Sequence, residues 1–409
     1  MEQSEERTGL VLSGGGMRGA YEVGVIEGLV EVLDCQAHGP NPFDIVSGTS
    51  VGAINAVWVA AWAHRGDLHA DGLRQRWLDL ELSRHLRIDP RGTAAILGGK
   101  RLRRILTDQF GTKGVSFLDP QPFEHLVERE IPWEQLHANV ADGHMNSVSV
   151  ACLEVSTGKT IVFGETTEGV ELEEVEDMRR EFRRGGIDAN HVLASAAIPL
   201  LFPARQIEYE LFCDGGLRLN TPIPPAIRAG ADRLVVISVG EGGEYTHSEG
   251  EWARAARRAD FPNPVFLVGK ALNTMLVDPV YHELQLTQRI NRLVEVVEDV
   301  VDDEQLEEIR RAISADRGAP YRNVPTLAFS PSESVAELAR EYLEDVEPTS
   351  WSTRALVDMA GGGGSVERDF LSYVFFDGDF ARELIDLGRR DVQAKADEVR
   401  EFFAPTGSP

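Results

Sequence analysis

Apolar and polar positions follow strand and helix periods in turn over the first sixty residues. Thr8–Leu12 is a short apolar run that predicts a buried strand. Over Ala20–Leu33 the apolar residues recur at helical spacing and the glutamates fall mostly off that stripe, which predicts a helix. Asp44–Ser47 predicts a second strand, and the almost uniformly apolar Ala53–Ala63 predicts a buried helix. Strands that alternate with helices indicate an α/β sheet.

The pattern changes after residue 66. Residues 67–143 become helical, rich in arginine and interrupted by prolines, which predicts an insertion or cap over the sheet. Further strands are predicted over 146–155, 159–163, 205–211, 233–239 and 326–330. Helices are predicted over 171–184, 191–197, 225–229 and 264–313, and a polar loop over 240–262.

These elements divide the chain into three regions. We expect an α/β core over residues 8–240, which includes the 67–143 insertion, and a helical extension with a returning strand over 241–330. The remaining residues, 331–409, predict a helical tail whose two helices are separated by Gly361–Gly364.

Composition and charge narrow the classes of function. The chain is 42% hydrophobic and 26% charged, as expected for a folded globular protein. Its 67 acidic and 41 basic residues give a net charge of −26, which argues against nucleic-acid binding and against electrostatic docking on anionic membranes. Three cysteines without paired spacing fit a reducing compartment and exclude a CxxC metal site.

The sequence contains no recognisable targeting or membrane-spanning segment. Its first seven residues are acidic and polar, the opposite of the start of a signal peptide. Every apolar run is shorter than the ~20 residues that a membrane-spanning helix needs. We therefore expect a cytoplasmic protein without a transmembrane segment; peripheral contact with a lipid surface and secretion without a cleaved signal stay open.

Three glycine-containing motifs hold the candidate catalytic residues. The three motifs are Ser13-Gly14-Gly15-Gly16-Met17-Arg18-Gly19, Gly48-Thr49-Ser50-Val51-Gly52 and Asp214-Gly215-Gly216. The second lies between a predicted strand and a predicted helix, the context in which Gly-x-Ser-x-Gly exposes a serine oxygen on a sharp turn. Gly48 and Gly52 allow the two backbones to approach, and the helix N-terminus favours negative charge at Ser50.

The first glycine motif has two interpretations. Gly14, Gly16 and Gly19 satisfy the spacing of a dinucleotide site, so spacing alone leaves a nucleotide ligand open. However, no Lys-Ser/Thr pair follows as in a P-loop, and the second strand ends in a serine turn instead of an acidic residue. We favour backbone N–H groups that bind an oxyanion. Arg18 is expected to brace this loop, with contact to an anionic head group as the alternative.

In this order, the three motifs resemble those of the patatin-like phospholipases. The segments over 191–204 and 217–222, on either side of Asp214, are also similar to that family, and the resemblance covers residues 8–240. The family often has Asp where this chain has Ser13, at a position that is not catalytic. The resemblance implies a three-layer α/β/α sandwich of the patatin and cytosolic phospholipase A2 type, with a helical insertion and C-terminal helices.

The resemblance also implies a catalytic pair without histidine. Ser50 would be the nucleophile and Asp214 its base, with Gly215 and Gly216 allowing the carboxylate turn to approach Ser50. The oxyanion hole would come from the backbone amides of Gly14, Gly15, Gly16, Met17 and Arg18. A buried aspartate can serve as a base because burial raises its pKa.

We therefore predict a serine hydrolase that cleaves carboxylic ester bonds of phospholipids, lysophospholipids or other acyl lipids through an acyl-enzyme on Ser50. No cofactor and no metal are implied. Two alternatives stay open. One is a non-enzymatic lipid-binding protein of the same fold, and the other is a nucleotide-binding protein that uses the Gly14–Gly19 loop.

Several other residues are assigned structural roles. His191 is expected to cap or pack its helix instead of completing a triad, and Asn190 and Ser195 are expected to cap or pack. No HxxxH or HxH pair occurs, so no metal site is predicted. Asp377-Gly378-Asp379 predicts a surface turn. A C-terminal aromatic cluster is predicted to be core, with a lipid-facing patch as the alternative: Tyr373, Phe375, Phe376 and Phe380.

The insertion carries the candidates for an acyl channel or lid. They are Trp77, Leu78, Leu80, Leu82, Leu86 and Phe110. Simple anchoring of the insertion to the sheet would require the same apolar side chains, so the sequence leaves both roles open.

Overall fold

The fold is described from a computed structural model. The described residues are 6–81, 87–88, 116, 118–170, 179–199, 201–240, 283–317, 320–345, 372–373 and 375–404. The strands are β1 (Thr8–Leu12), β2 (Ile45–Thr49), β3 (Arg87–Ile88), β4 (Leu118–Asp119), β5 (Ser147–Glu154), β6 (Thr160–Thr166), β7 (Arg180–Arg184), β8 (Arg205–Ile207), β9 (Glu210–Asp214), β10 (Arg233–Ile237) and β11 (Thr326–Phe329).

Helices connect and cover these strands. They are α1 (Gly19–Val32), α2 (Val51–Ala61), α3 (Ala70–Leu78), α4 (Gln121–Glu130), α5 (Trp133–Ala141), α6 (Ala189–Ser195), α7 (Ile223–Arg228), α8 (Asp303–Arg317), α9 (Val335–Asp345), α10 (Gly378–Ala394) and α11 (Ala396–Phe403). A further helix covers 283–300. Short 3-10 turns cover Gly16–Arg18 and Gly215–Leu217. None of the described helices is long and apolar enough to cross a membrane.

Within the described residues, nine strands form one mixed sheet. Its main order is β11-β10-β1-β2-β5-β6-β7. The neighbours from β11 to β5 pair in parallel, β6 is antiparallel to β5, and β7 is parallel to β6. The hairpin of β8 and β9 joins the sheet through antiparallel pairing of β9 with β5. Strands β3 and β4 form a separate pair.

Helices pack on both faces of this sheet. Successive side chains of a strand point to opposite faces, and the core divides accordingly. Leu10 and Leu12 belong to the larger apolar cluster, which includes residues of α1 and α2, whereas Val11 packs with residues of α7 on the other face. The expected three-layer arrangement is confirmed.

The C-terminal helix α10 covers α1. A Cβ atom on Gly24 would lie 2.0 Å from the carbonyl oxygen of Ile385, and one on Gly388 would lie 2.4 Å from that of Tyr21. The two helix backbones therefore touch at two glycines, which fixes α10 on the outer side of α1. The predicted domain boundaries at residues 240 and 330 stay predictions.

The predicted helix over residues 171–184 is wrong in its described part. Arg180–Arg184 is the edge strand β7, paired in parallel with β6, and residues 171–178 lie outside the described residues. The charged side chains that suggested the surface of a helix form ion pairs instead. Arg183 pairs with Glu181 on the same strand and with Glu210 on β9. Pairing with β6 outweighed the local preference of this segment for a helix.

Two further elements differ from the prediction. The strand expected over 205–211 is a hairpin, turning at Glu208 (φ +53°), and its second strand extends to Asp214. The long helix predicted over 264–313 is interrupted after residue 300, where Asp302 and Gln305 exchange hydrogen bonds in a capping box. Residues 264–282, most of the predicted 240–262 loop and Gly361–Gly364 lie outside the described residues.

Candidate active site

Two strands meet head to head against one edge of β5. Strand β2 runs parallel to β5 and its last pair joins Thr49 to Ala151. Strand β9 runs antiparallel to β5 and ends with Asp214 opposite Cys152. Because Ala151 and Cys152 are neighbours, the turn that starts at Ser50 and the turn that starts at Asp214 meet in the middle of the sheet.

Ser50 and Asp214 are hydrogen-bonded at this meeting point. The Ser50 hydroxyl donates to Oδ2 of Asp214 at 2.7 Å, and the Gly216 N–H donates to Oδ1 at 2.7 Å. The Asp214 side chain is fully buried, and burial raises its pKa to about 7 although both hydrogen bonds act in the opposite direction. A carboxylate with that pKa can accept a hydroxyl proton near neutral pH far better than an exposed aspartate.

Helix α6 ends between the two turns and holds both. The Ser50 N–H donates to Oγ of Ser195 at 2.8 Å, and that hydroxyl donates to the Ala151 carbonyl at 2.6 Å. The Asp214 N–H donates to the Ala197 carbonyl at 3.0 Å. Sequence reasoning assigned Ser195 to capping or packing. Its contact with the Ser50 turn was missed, and the only sequence signal was its place in a small-residue helix shortly before Asp214.

The Ser50 backbone is strained. Its φ of +54° lies in a region that residues other than glycine seldom adopt, and such strain persists only where neighbouring structure maintains it. Close backbone approach accounts for two of the surrounding glycines. A Cβ atom on Gly52 would lie 2.5 Å from the Leu12 carbonyl oxygen, and one on Gly215 would lie 2.2 Å from that of Ala151. Gly48 is similarly restricted by Gly52.

The glycine loop lies beside Ser50 and is clamped by Asn220. The Gly14 N–H donates to the Asn220 carbonyl at 3.0 Å, and the Asn220 side-chain amide donates to the Gly14 carbonyl at 3.1 Å. The Arg18 N–H donates to Gly15 O at 3.2 Å. These bonds engage the amides of Gly14 and Arg18. Of the five loop amides that were expected to bind the oxyanion, the three between Gly14 and Arg18 remain available.

The remaining loop amides point to no acceptor within the described part of the chain. These are the amides of Gly15, Gly16 and Met17. Gly16 has a φ of +57° and lines the same cavity as Ser50. Val51, at the first position of α2, lines that cavity too, and an N–H at this position has no partner inside its helix. Sequence reasoning did not include Val51 among the donors, although its place after Ser50 in the motif was the available signal.

Arg18 ties the glycine loop to the segment at residues 372–373. Its buried guanidinium donates to the Ser372 hydroxyl at 2.9 Å from Nε and 2.7 Å from Nη2, and lies 4.4 Å from the centre of the Tyr373 ring. These contacts agree with the bracing role. Sequence reasoning could not identify Ser372 as the partner, because 354 positions separate it from Arg18.

Ser50 opens into a narrow apolar cavity of about 30 Å³. Past Phe123 and Phe376, whose ring centres lie 6.4 Å apart, a second compartment of about 50 Å³ continues between α2, α3 and α4. Of the insertion side chains predicted for a channel, Trp77 and Leu80 line this compartment and Leu78 packs against the core. Leu82, Leu86 and Phe110 lie outside the described residues.

The other singled-out residues have structural partners. Within the described chain, the hydrogen bonds to the Asp214 carboxylate come from Ser50 and Gly216, and none comes from a histidine. His191 caps α6 in a reciprocal pair with Asp188. Asp377 caps α10, and the four aromatic residues of the C-terminal cluster are buried. Phe375 and Phe380 belong to the core, whereas Tyr373 and Phe376 line the cavity beside Ser50.

Comparison with known proteins gives one family and two structures. A family model described as patatin-like phospholipase matches residues 10–227. VipD from Legionella pneumophila is similar at 13% identity and a TM-score of 0.30, over 94% of this chain and 67% of VipD. Human GIVD cytosolic phospholipase A2, in complex with methyl gamma-linolenyl fluorophosphonate, is similar at 15% identity and a TM-score of 0.32, over 97% and 59%. No curated protein matches this sequence.

Proposed function

Since the chain belongs to the patatin-like phospholipase family, we propose that it is a serine hydrolase that cleaves carboxylic ester bonds of phospholipids or lysophospholipids. One observation carries the proposal. The hydroxyl of Ser50, on a strained turn, donates at 2.7 Å to the fully buried carboxylate of Asp214, and the pair opens into an apolar cavity.

The first half of the reaction forms an acyl-enzyme. Ser50 Oγ attacks the ester carbonyl carbon while its proton passes to Asp214, and the carbonyl electron pair moves onto oxygen. The N–H groups of Gly15, Gly16 and Met17, together with that of Val51, are the proposed donors to that oxyanion. Donors of this kind each contribute about 3–4 kcal/mol to stabilising the transition state.

The second half releases the products. The oxyanion collapses, the bond from carbon to the leaving oxygen breaks, and Asp214 returns its proton to the leaving alcohol. Water then attacks the acyl-enzyme with Asp214 again as the base, and a fatty acid is released. A pKa of about 7 suits both directions of this proton transfer, because the carboxyl group is neither strongly acidic nor strongly basic at neutral pH.

The cavity supports a lipid substrate. Apart from Ser50 and the glycine loop, it is lined by apolar side chains such as Ile54, Phe123 and Phe376. An acyl chain gains from leaving water there, whereas a nucleotide phosphate would find no cation among the described residues of this cavity wall. The geometry therefore favours the lipid hydrolase over the nucleotide-binding alternative.

Covalent labelling tests this proposal. We would treat the protein with a fluorophosphonate and measure its intact mass for wild type, Ser50→Ala, Asp214→Asn and a Ser156→Ala control on an exposed turn. We expect one adduct on wild type and on the control, none on Ser50→Ala, and much slower labelling of Asp214→Asn.

Different results would favour the alternatives. Equal labelling of wild type and Ser50→Ala would contradict the assignment of the nucleophile. A folded wild type that binds phospholipid vesicles but neither labels nor releases fatty acid would favour the non-enzymatic lipid-binding protein. Calorimetric binding of ATP or NAD, lost on substitution in the Gly14–Gly19 loop, would favour the nucleotide-binding protein.

A further inference from the structure

One face of α2 forms a continuous apolar wall that leads away from Ser50. Val51, Ile54 and Trp58 line the cavity, at spacings of three and four residues that place them above one another on the same side of a helix. Val51 and Ile54 line both compartments, and Trp58 lines the second one only. The wall therefore extends from the reacting hydroxyl through both compartments.

The wall opposite α2 is also apolar. Side chains of α3 and α4, among them Leu73, Trp77 and Val127, are buried and line the second compartment. Among the described residues, its charged lining residues are Arg76 and Glu130, which pair at 3.0 Å with 44% and 34% of their side chains exposed. Because this ion pair is partly exposed, it lies on the side of the compartment that faces solvent, and the described side chains between it and Ser50 are apolar and suit an unbranched hydrocarbon.

The length of the apolar wall gives an estimate of the length of acyl chain that can lie along it. Eight residues separate Ser50 from Trp58, and a helix rises by 1.5 Å per residue, so the wall extends for about 12 Å. An extended hydrocarbon advances by roughly 1.3 Å per carbon, because its bonds of about 1.5 Å zigzag. An acyl chain extended along this wall would place about nine carbons between the reacting carbonyl and the indole of Trp58.

We propose that this channel holds the acyl chain of the substrate and that Trp58 limits its length, so that chains of about eight to ten carbons are preferred. The proposal rests on the proposed function of Ser50. Phe123 and Phe376 line both compartments and form the constriction between them. With about 30 and 50 Å³ of free volume, the compartments hold only a few waters each, so the chain enters by turning these two rings aside.

A series of p-nitrophenyl esters from butyrate to palmitate tests the limit. Each buried methylene contributes about 0.8 kcal/mol, so kcat/KM should rise about fourfold per carbon until the channel is full. For wild type we expect the maximum near eight to ten carbons. Trp58→Ala should move the maximum to longer chains by several carbons, and Ile54→Trp should lower the ratio of decanoate to butyrate kcat/KM by at least about 100-fold.

Trp62→Ala is the matched control. Trp62 follows one turn later, at the end of α2, and does not line the channel, so this variant should keep the wild-type chain-length profile. A Trp58→Ala profile that coincides with that of Trp62→Ala would overturn the channel. An Ile54→Trp variant that hydrolyses decanoate and butyrate in the wild-type ratio would overturn it too.

Failure of the channel and failure of the proposed function look different. If Ser50 labels and butyrate is hydrolysed while chain length has no effect, the hydrolase stands and the channel is wrong. If Ser50 does not label and no ester is hydrolysed by the folded wild type, both are wrong.

Discussion

At the scale of single residues, the state of Asp214 decides the chemistry. Its carboxyl group is fully buried and receives two hydrogen bonds, and the cost of burying its charge exceeds what those bonds return. The result is a carboxyl group that titrates near neutrality, which links activity and stability to the same proton.

We expect the rate of Ser50 labelling to rise with pH through about 7. Below that pH the carboxyl is protonated and cannot accept the hydroxyl proton, and above it the base is present. The measurement is the second-order labelling rate by a fluorophosphonate between pH 5 and 9. A rate that does not change over this range would show that Asp214 is not the base.

The same carboxyl should lower stability as the pH rises. Its folded-state pKa of about 7 exceeds its ordinary value of 3.8, so the folded state holds the proton more tightly and stability decreases from about pH 4 to about pH 7. Asp214→Asn removes this dependence. Relative to wild type, we expect the variant to gain up to about 4 kcal/mol between pH 4 and 8. Urea unfolding of both proteins at each pH measures the difference, and a constant difference would contradict the argument.

Ser195 offers a second test at this scale. Ser195→Ala leaves the Ser50 N–H and the Ala151 carbonyl without their shared hydroxyl, which should cost about 1–3 kcal/mol of stability and relax the strained turn. We expect slower labelling of Ser50 than in a Ser149→Ala control, which loses a buried hydrogen bond to Ser47 instead. Equal labelling rates at equal stability would limit Ser195 to a packing role.

At the scale of elements, the segment after Asp214 connects the three motifs. The Leu219 carbonyl accepts a hydrogen bond from the Thr49 hydroxyl at 2.9 Å. Asn220 is hydrogen-bonded to both the N–H and the carbonyl of Gly14. One short segment thus fixes the strand that carries Ser50 and the loop that carries the proposed oxyanion donors.

We expect Asn220→Ala to lower kcat with little change in KM. The glycine loop would lose a side-chain bond that positions it, and displaced oxyanion donors reduce stabilisation of the transition state more than binding of the substrate. A reduction of roughly 10- to 100-fold is expected from steady-state kinetics on a short ester. Asn41→Ala, which removes a turn bond to Phe43, should keep the wild-type kcat, and an Asn220→Ala variant with wild-type kcat would exclude the positioning role.

Element prediction worked where the pattern was local. Residues 8–66 alternate between runs of strand and helix period, and β1, α1, β2 and α2 lie where those runs indicate. Prediction was wrong for Arg180–Arg184, whose alternating charges give no strand signal until β6 and Glu210 are beside them. The break near residue 301 depends on one aspartate cap inside a strongly helical composition, so the periodicity extended across it.

At the scale of the whole molecule, charge should govern contact with lipid surfaces. A net charge of −26 repels anionic bilayers over the Debye length, which is about 8–10 Å at physiological salt. We expect weaker binding to phosphatidylcholine vesicles as phosphatidylglycerol is added, with partial recovery at high salt. Co-sedimentation at 50 and 500 mM salt measures this. Binding that strengthens with anionic lipid would reveal a basic surface that overrides the net charge.

The sequence by itself determined the family and the layered α/β fold, because both depend on short-range features: glycines that permit a turn, and apolar periods that select strand or helix. It also pointed to Ser50 and Asp214 through the order of their motifs. Only the tertiary structure decided that the two strand ends meet on β5, that Ser195 and Asn220 hold the turns, and which loop amides have partners. Those relations join residues up to about two hundred positions apart, and no local pattern encodes such a contact.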